Sequence, residues 1–240
     1  MDYPPKYCST PHWPWSETVH RDDTVHSDPE SFVGQEVVIT EKLDGGNTCL
    51  WNGEVYARST SQPSRAGWMA MVRKHHAWKT LKFQTPHPET GMAWDAGLVF
   101  YGEDLYGIHS IEYEPMPEDQ TYRLFAVRSV GVDARGNPHD RFYAWSTVEH
   151  MAREIEVPTV PVLFRGVFDS TKSITDWFVK NLREPSSIGG PREGFVMRHA
   201  DSFNAEEFPQ KVAKYVRAHH VQTDQHWTKN WQPAKLITGE

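Results

Sequence analysis

At 240 residues, with ten Trp, nine Tyr and eleven Phe, the chain can bury a substantial core, as one large domain or two small ones. A formal net charge of −7 argues against a protein that coats nucleic acid non-specifically. No apolar run approaches the ~18 residues that span a bilayer, the start Met1-Asp2-Tyr3-Pro4-Pro5 lacks the basic and apolar regions of a signal peptide, and Cys8 and Cys49 give no disulfide framework, so a soluble cytoplasmic protein is expected.

Residues 1–30 are rich in Pro, His, Asp and Ser without periodicity and read as an irregular arm packed on a domain that spans 31–240. Cys8, His12, His20 and His26 match no zinc spacing. The apolar run Val37-Val38-Ile39 predicts a strand, followed by Thr40-Glu41-Lys42-Leu43-Asp44-Gly45-Gly46-Asn47. A lysine at a strand end is a candidate nucleophile if burial or neighbouring cations and metals lower its pKa from ~10.4. The two glycines would permit positive φ and the close approach of a phosphate. The competing reading is a plain Asp-Gly hairpin. Asn52-Gly53 predicts a type I′ turn joining 48–51 to 54–58.

Ser64 is placed to cap a helix running to about Trp78, with Trp68, Met69, Val72 and His76 near one face. From Val55 to Gln84 there is no acidic residue, and six Lys and Arg interleave with aromatic rings, a composition suited to nucleic acid or to a solvated helix face. A Pro/Gly-rich loop covers 85–95. Leu98 to Gly107 is an apolar strand with the acidic pair Glu103-Asp104 at its end, and 122–128 and 141–145 suggest two more strands. Ser146-Thr147-Val148-Glu149 fits a capping box opening a helix that ends before Pro158. Val160 to Phe164 reads as a strand, Thr171 or Ser173 as the cap of a helix carrying Ile174, Trp177 and Phe178, and 191–199 as a strand entered through Glu193-Gly194. Lys211, Lys214 and Arg217 cluster near the end. The mixture predicts an α+β domain with antiparallel sheets.

A strand-end lysine, carboxylates at strand ends and late cations are what phosphoryl or nucleotidyl transfer needs, since the work is positioning and neutralising phosphate charge. Such carboxylates also suit a hard divalent cation. The motifs in series resemble the covalent nucleotidyltransferases, that is, the ATP-dependent RNA and DNA ligases and the mRNA capping enzymes. Glu41-Lys42-Leu43-Asp44-Gly45-Gly46-Asn47 is similar to their first motif and closest to that of nick-sealing RNA ligases. Phe100-Tyr101-Gly102-Glu103 resembles the third, Leu124-Phe125-Ala126-Val127 the strand carrying the base-stacking aromatic, Glu193-Gly194-Phe195-Val196 the fourth, and Lys211 and Lys214 fall where the fifth should be.

The resemblance implies that Lys42 carries an adenylate, with Glu193 and Lys214 beside it in catalysis. It further implies that Glu41, Asn47, Arg58, Glu103, Phe125, Lys211 and Lys214 hold ATP, and that Glu193 binds Mg²⁺ or Mn²⁺. The family's paired lysines are usually one residue apart. Here they are three apart, so both face the nucleotide only with a bulge or helical turn; otherwise Lys214 acts with Arg217. Ala126 stands where many relatives carry an acid. Only about 23 residues follow Arg217, too few for an oligonucleotide-binding (OB) barrel, which favours a compact RNA ligase. The implied fold is a nucleotidyltransferase domain of two antiparallel sheets flanked by helices, with no C-terminal OB barrel. The implied activity joins RNA 3′-OH and 5′-phosphate ends, in a monomer working with an end-healing kinase or phosphatase, in a cytoplasm that is the host's if the protein is phage-encoded. The alternatives are a GTP-using capping-type guanylyltransferase and a non-catalytic RNA-binding domain.

Overall fold

Strand β1 (Glu36–Lys42) is apolar without alternation because both of its faces are covered. Val37 and Ile39 pack with Trp13, Ile174 and Phe178 on one side, while Val38 joins Leu50, Phe100 and Trp145 in the core on the other. The computed structural model describes residues 3–19, 21, 23–59, 61–84, 97–132, 138–218 and 231–237.

The remaining strands are β2 (Gly46–Trp51), β3 (Glu54–Ala57), β4 (Leu98–Asp104), β5 (Tyr122–Val132), β6 (Pro138–Phe142), β7 (Val162–Val167), β8 (Gly194–His199), β9 (Phe203–Asn204) and β10 (Val212–Val216). They form two sheets, one of four strands in the order β10-β8-β1-β7 and one of six in the order β3-β2-β4-β5-β6-β9. Every strand pair is antiparallel. Helices α1 (Ala70–His75), α2 (Trp145–Glu154), α3 (Thr171–Asn181) and α4 (Phe208–Lys211) flank them. The expected architecture of two antiparallel sheets with helices is the one observed. No helix among the described residues is long and apolar enough to cross a membrane.

The turn at Asn52-Gly53 has φ of 51° and 79°, and Trp51 pairs with Glu54, which is the predicted two-residue I′ hairpin. Leu43 to Gly45 is not a hairpin. It carries the chain from one sheet to the other, since β1 and β2 belong to different sheets.

Three helix starts differ from expectation. Ser64 does not cap a helix: its hydroxyl accepts from Ala66 N at 3.3 Å, ahead of the first helical turn, and its own N–H donates to the Val55 carbonyl at 2.7 Å. The segment then runs to a 3-10 turn at Gly67–Met69, a short α1 and a second 3-10 stretch, Ala77–Gln84. Helix α2 begins two residues earlier than the Ser146 box allows, with Ala144 as its N-cap and no side-chain cap; the Trp145 N–H donates to the Ala200 carbonyl and its ring is buried. Helix α3 is capped by Ser170, whose hydroxyl accepts from Ser173 N at 3.1 Å. Strand β7 also starts later than predicted, because the Val160 N–H bonds Leu124 and Pro161, which has no N–H, gives its carbonyl to Glu41 N.

The acid-free stretch is neutralised in space rather than in sequence. Arg65 pairs with Glu54, Lys74 with Glu118, Lys79 with Glu156 and Lys82 with Glu154, while Arg73 donates to the Ser64 and Ala66 carbonyls. The described part of the 1–30 arm lies against β10 and the helices, with Trp13 fully buried between Phe32 and Phe178. The 85–95 loop, His20 and the tail 219–227 lie outside the described residues.

Candidate active site

Lys42 ends β1, and its cross-strand partner is Gly194, the first residue of β8. That register puts Glu193 beside it, and Lys42 Nζ donates to Glu193 Oε1 at 2.6 Å. The Lys42 side chain is 28% exposed and Glu193 only 4%. Gly194 is a glycine for a steric reason, because a Cβ there would stand 2.1 Å from the Tyr215 carbonyl on β10. The Glu193 carbonyl accepts from Arg217 N at 2.9 Å, so this corner also joins the end of β10.

The crossing turn is pinned by Asp44. One of its carboxylate oxygens accepts from Ser110 N and Ile111 N, each at 2.7 Å, and its own N–H donates to the Tyr113 hydroxyl at 2.7 Å. Gly45 N–H donates to Glu103 Oε1 at 3.2 Å. Neither Gly45 nor Gly46 has positive φ, contrary to expectation. Gly45 is required by contact within the protein, since a Cβ would lie 2.5 Å from the Asp104 carbonyl.

These elements border a cavity of about 600 Å³ between the sheets. Its lining includes Lys42, Glu41, Asn47, Arg58, Glu103, Phe125 and Lys214, all among the predicted site residues. Phe125 and Val196 come from opposite sheets. Arg58 is exposed at the rim. Glu41 is buried, with Oε2 accepting from Ser187 N at 2.9 Å and facing the Arg192 guanidinium at 3.9 Å, while Oε1 has no hydrogen-bond partner among the described residues. Lys211 is not in the lining. It closes the last turn of α4, and β10 begins after it, so the three-residue spacing separates the two lysines between a helix and a strand.

Sequence reasoning missed the wall made by Tyr7, Cys8, Ser9 and Thr10, together with Arg198. Tyr7 sits in an unpatterned arm and carried no signal. Arg198 did carry one, since it lies two residues after Val196 and therefore on the same face of β8. Burial brings its guanidinium down to about 10.

The charges are coupled. Burial works to lower the Lys42 pKa, but the attraction of Glu193 and then Glu103 outweighs it and holds the ammonium above its ordinary value. Burial pushes Glu103 up to about 8, against the pull of Lys42. Lys214 is lowered by burial and by Lys42, with Asp23 opposing.

Two antiparallel sheets around a cavity with a strand-end lysine, two buried glutamates and a second lysine constitute a nucleotidyltransferase fold. The sequence model of the RNA ligase family matches residues 35–216, and the chain belongs to that family. No curated protein matches it by sequence. Among solved structures it is similar to a nucleotide-free mutant of the Naegleria gruberi RNA ligase, with a TM-score of 0.52 and 16% identity over 89% of this chain and 60% of that one. A second mutant of that ligase, with ATP and Mn, gives 0.52 and 15% over 85% and 56%. An archaeal ATP-dependent RNA ligase gives 0.52 and 15% over 88% and 48%. The chain thus spans about half to three-fifths of the length of these proteins, and the likeness is one of fold.

Proposed function

We propose that the protein is an ATP-dependent RNA ligase that joins 3′-OH and 5′-phosphate RNA ends through an adenylate carried on Lys42. The observation that carries this reading is the Lys42–Glu193 pair at 2.6 Å on the edge of a nucleotide-sized cavity.

In the first step the Lys42 amine attacks the α-phosphorus of ATP. A P–N bond forms, the α–β P–O bond breaks, and pyrophosphate leaves with the electron pair. The ammonium must first lose a proton, and Glu193 Oε1 is the base within reach. In the second step Lys42 takes a proton back, the P–N bond breaks, and the adenylate passes to an RNA 5′-phosphate as a P–O–P anhydride. In the third, the 3′-OH attacks that phosphate, forms the phosphodiester and releases AMP.

Lys214 faces the phosphates from β10 and Arg58 from the rim, both as neutralising cations. Phe125 and Val196 enclose the base, Glu103 and Asn47 lie toward the sugar, and the free oxygen of Glu41 is an acceptor for a base N–H. Lys211, outside the lining, is left to the RNA strand.

A hard divalent cation such as Mg²⁺ or Mn²⁺ would be held by the carboxylate of Glu193 beside Lys42, an oxygen donor of the kind such cations take. With no group of three His, Cys, Asp or Glu suited to metal among the described residues, water and phosphate would complete its shell. Bound there it would supply charge to offset the phosphates and favour the neutral Lys42. We further propose a monomer acting after an end-healing kinase or phosphatase.

The test is intact-mass measurement after incubation with ATP or GTP and Mg²⁺. The reading expects one added AMP, absent in Lys42→Ala, and sealing of 5′-phosphorylated RNA. An adduct from GTP alone would instead indicate a capping-type activity, and no adduct at all would leave a binding domain.

A further inference from the structure

We propose that Asp23, from the N-terminal arm, is a positioning residue for Lys214, holding its ammonium over the cavity as part of a His12–Asp23–Lys214 chain; this rests on the ligase reading above.

Lys214 is held on both sides. On one, β10 pairs with β8, Lys214 opposite Val196. On the other, the arm supplies what a neighbouring strand would: Lys214 N–H donates to the Pro11 carbonyl at 2.9 Å, and its own carbonyl accepts from Trp13 N at 2.7 Å. The arm then doubles back, with His12 N–H donating to Thr24 at 2.7 Å and His26 N–H to His12 at 2.8 Å. This return brings Asp23 to Lys214. One Asp23 oxygen lies 3.7 Å from Lys214 Nζ and the other 3.2 Å from His12 Nε2.

His12 is itself fixed. It is 3% exposed, and its Nδ1 is 3.2 Å from the Ser16 hydroxyl, which accepts from Val216 N at 2.9 Å on the same strand as Lys214. Burial, with Lys214 adding to it, brings the imidazole down to about 4, so it is neutral near pH 7. The consistent tautomer donates from Nε2 to Asp23 and accepts at Nδ1 from Ser16.

The electrostatic reason for the carboxylate is Lys42. Two ammonium groups border one cavity, and each disfavours the charge of the other. Asp23 offsets that repulsion at Lys214. At 3.7 Å it does so without taking a full hydrogen bond, which leaves the ammonium's donors for phosphate oxygens.

Three measurements test this. In single-turnover formation of the AMP adduct, Asp23→Asn should slow the rate about tenfold, the size of one modest ion pair. Asp23→Glu should recover part of it. In a Lys214→Ala background Asp23→Asn should cost nothing more, because its route of action is gone; full additivity would overturn the inference. The third needs no activity. With lysines carrying ¹³C-methyl groups, the Lys214 signal, assigned by its loss in Lys214→Arg, should titrate at lower pH in Asp23→Asn than in the unaltered chain. An unmoved titration would also overturn it. If the unaltered protein forms no adduct, the ligase reading fails, while the titration still decides whether Asp23 holds Lys214.

Discussion

Lys42 Nζ and Glu193 Oε1 stand 2.6 Å apart, so the amine expected to attack ATP is held as an ammonium by its carboxylate partner. Its pKa lies above the ordinary lysine value because Glu193 and Glu103 outweigh burial. Adduct formation should therefore climb with pH through the neutral range and beyond, as the amine fraction grows. Glu193→Gln removes the largest attraction on the proton, so the Lys42 pKa should fall and the profile move to lower pH. The maximal rate should drop by about 10²-fold or more with the loss of the base. Adduct rate against pH for both proteins checks this, and an unmoved profile would show that the pair does not set the Lys42 proton.

Glu103 gives a prediction of opposite sense for stability. Burial, opposed by Lys42, raises its carboxyl to about 8. The unfolded chain releases that proton near ~4.3. The folded state thus binds the extra proton, and stability should decline as pH rises from ~4.3 through 8, with the full penalty above that. Glu103→Gln retains an acceptor for Gly45 N–H and removes the buried charge. It should leave the melting temperature unchanged at pH 4 and raise it at pH 9, at roughly 2–4 °C per kcal/mol relieved, while weakening ATP binding. A lower melting temperature at pH 9 would mean that the carboxylate is a net stabilising partner of Lys42.

The strands and most of the site were legible because their signals are local. Val37-Val38-Ile39 followed by Lys42, the Asn52-Gly53 turn and the Glu193-Gly194 entry each specify backbone geometry within a few residues. Helix starts were less legible because long-range hydrogen bonds decided them. Ser64 was drawn to Val55 and Trp145 to Ala200. The charge balance of the basic stretch was hidden for a related reason: its counter-charges Glu118, Glu154 and Glu156 come from elsewhere in the chain. The arm's part in the cavity was invisible, since Tyr7 and Asp23 reach the site through irregular backbone that no periodicity announces.

Gly45 and Gly46 look equivalent in sequence and should not behave so. A Cβ on Gly45 meets the Asp104 carbonyl at 2.5 Å and Leu105 at 2.9 Å, whereas the nearest atom to one on Gly46 is 3.7 Å away. Gly45→Ala must displace backbone and should cost about 1–3 kcal/mol, as overpacking does. It should also shift the turn that follows Lys42 and abolish the adduct. Gly46→Ala should fold within about 1 kcal/mol of the unaltered protein. Thermal melts of the two variants side by side check the order, and equal losses would show that the crossing turn is slack.

Phe125 lines the cavity opposite Val196, half-buried, with its ring 4.9 Å from that of Tyr7 in an edge-on contact. Tyr7 in turn lies 5.1 Å from Tyr101 and 5.2 Å from Phe208, so Phe125 is braced along the cavity wall by a packed aromatic cluster. A flat face held in this way is pre-organised for stacking, which alanine substitution values at about 1–3 kcal/mol per base. Phe125→Ala should therefore raise the Kd for ATP by roughly 5- to 150-fold. Phe125→Tyr should stay near the unaltered value, because the stacking face is retained. Tyr7→Ala should lose part of the same affinity by freeing the ring rather than removing it. Calorimetric titration of ATP into the three variants separates these cases, and unaltered binding by Phe125→Ala would place the base elsewhere in the cavity.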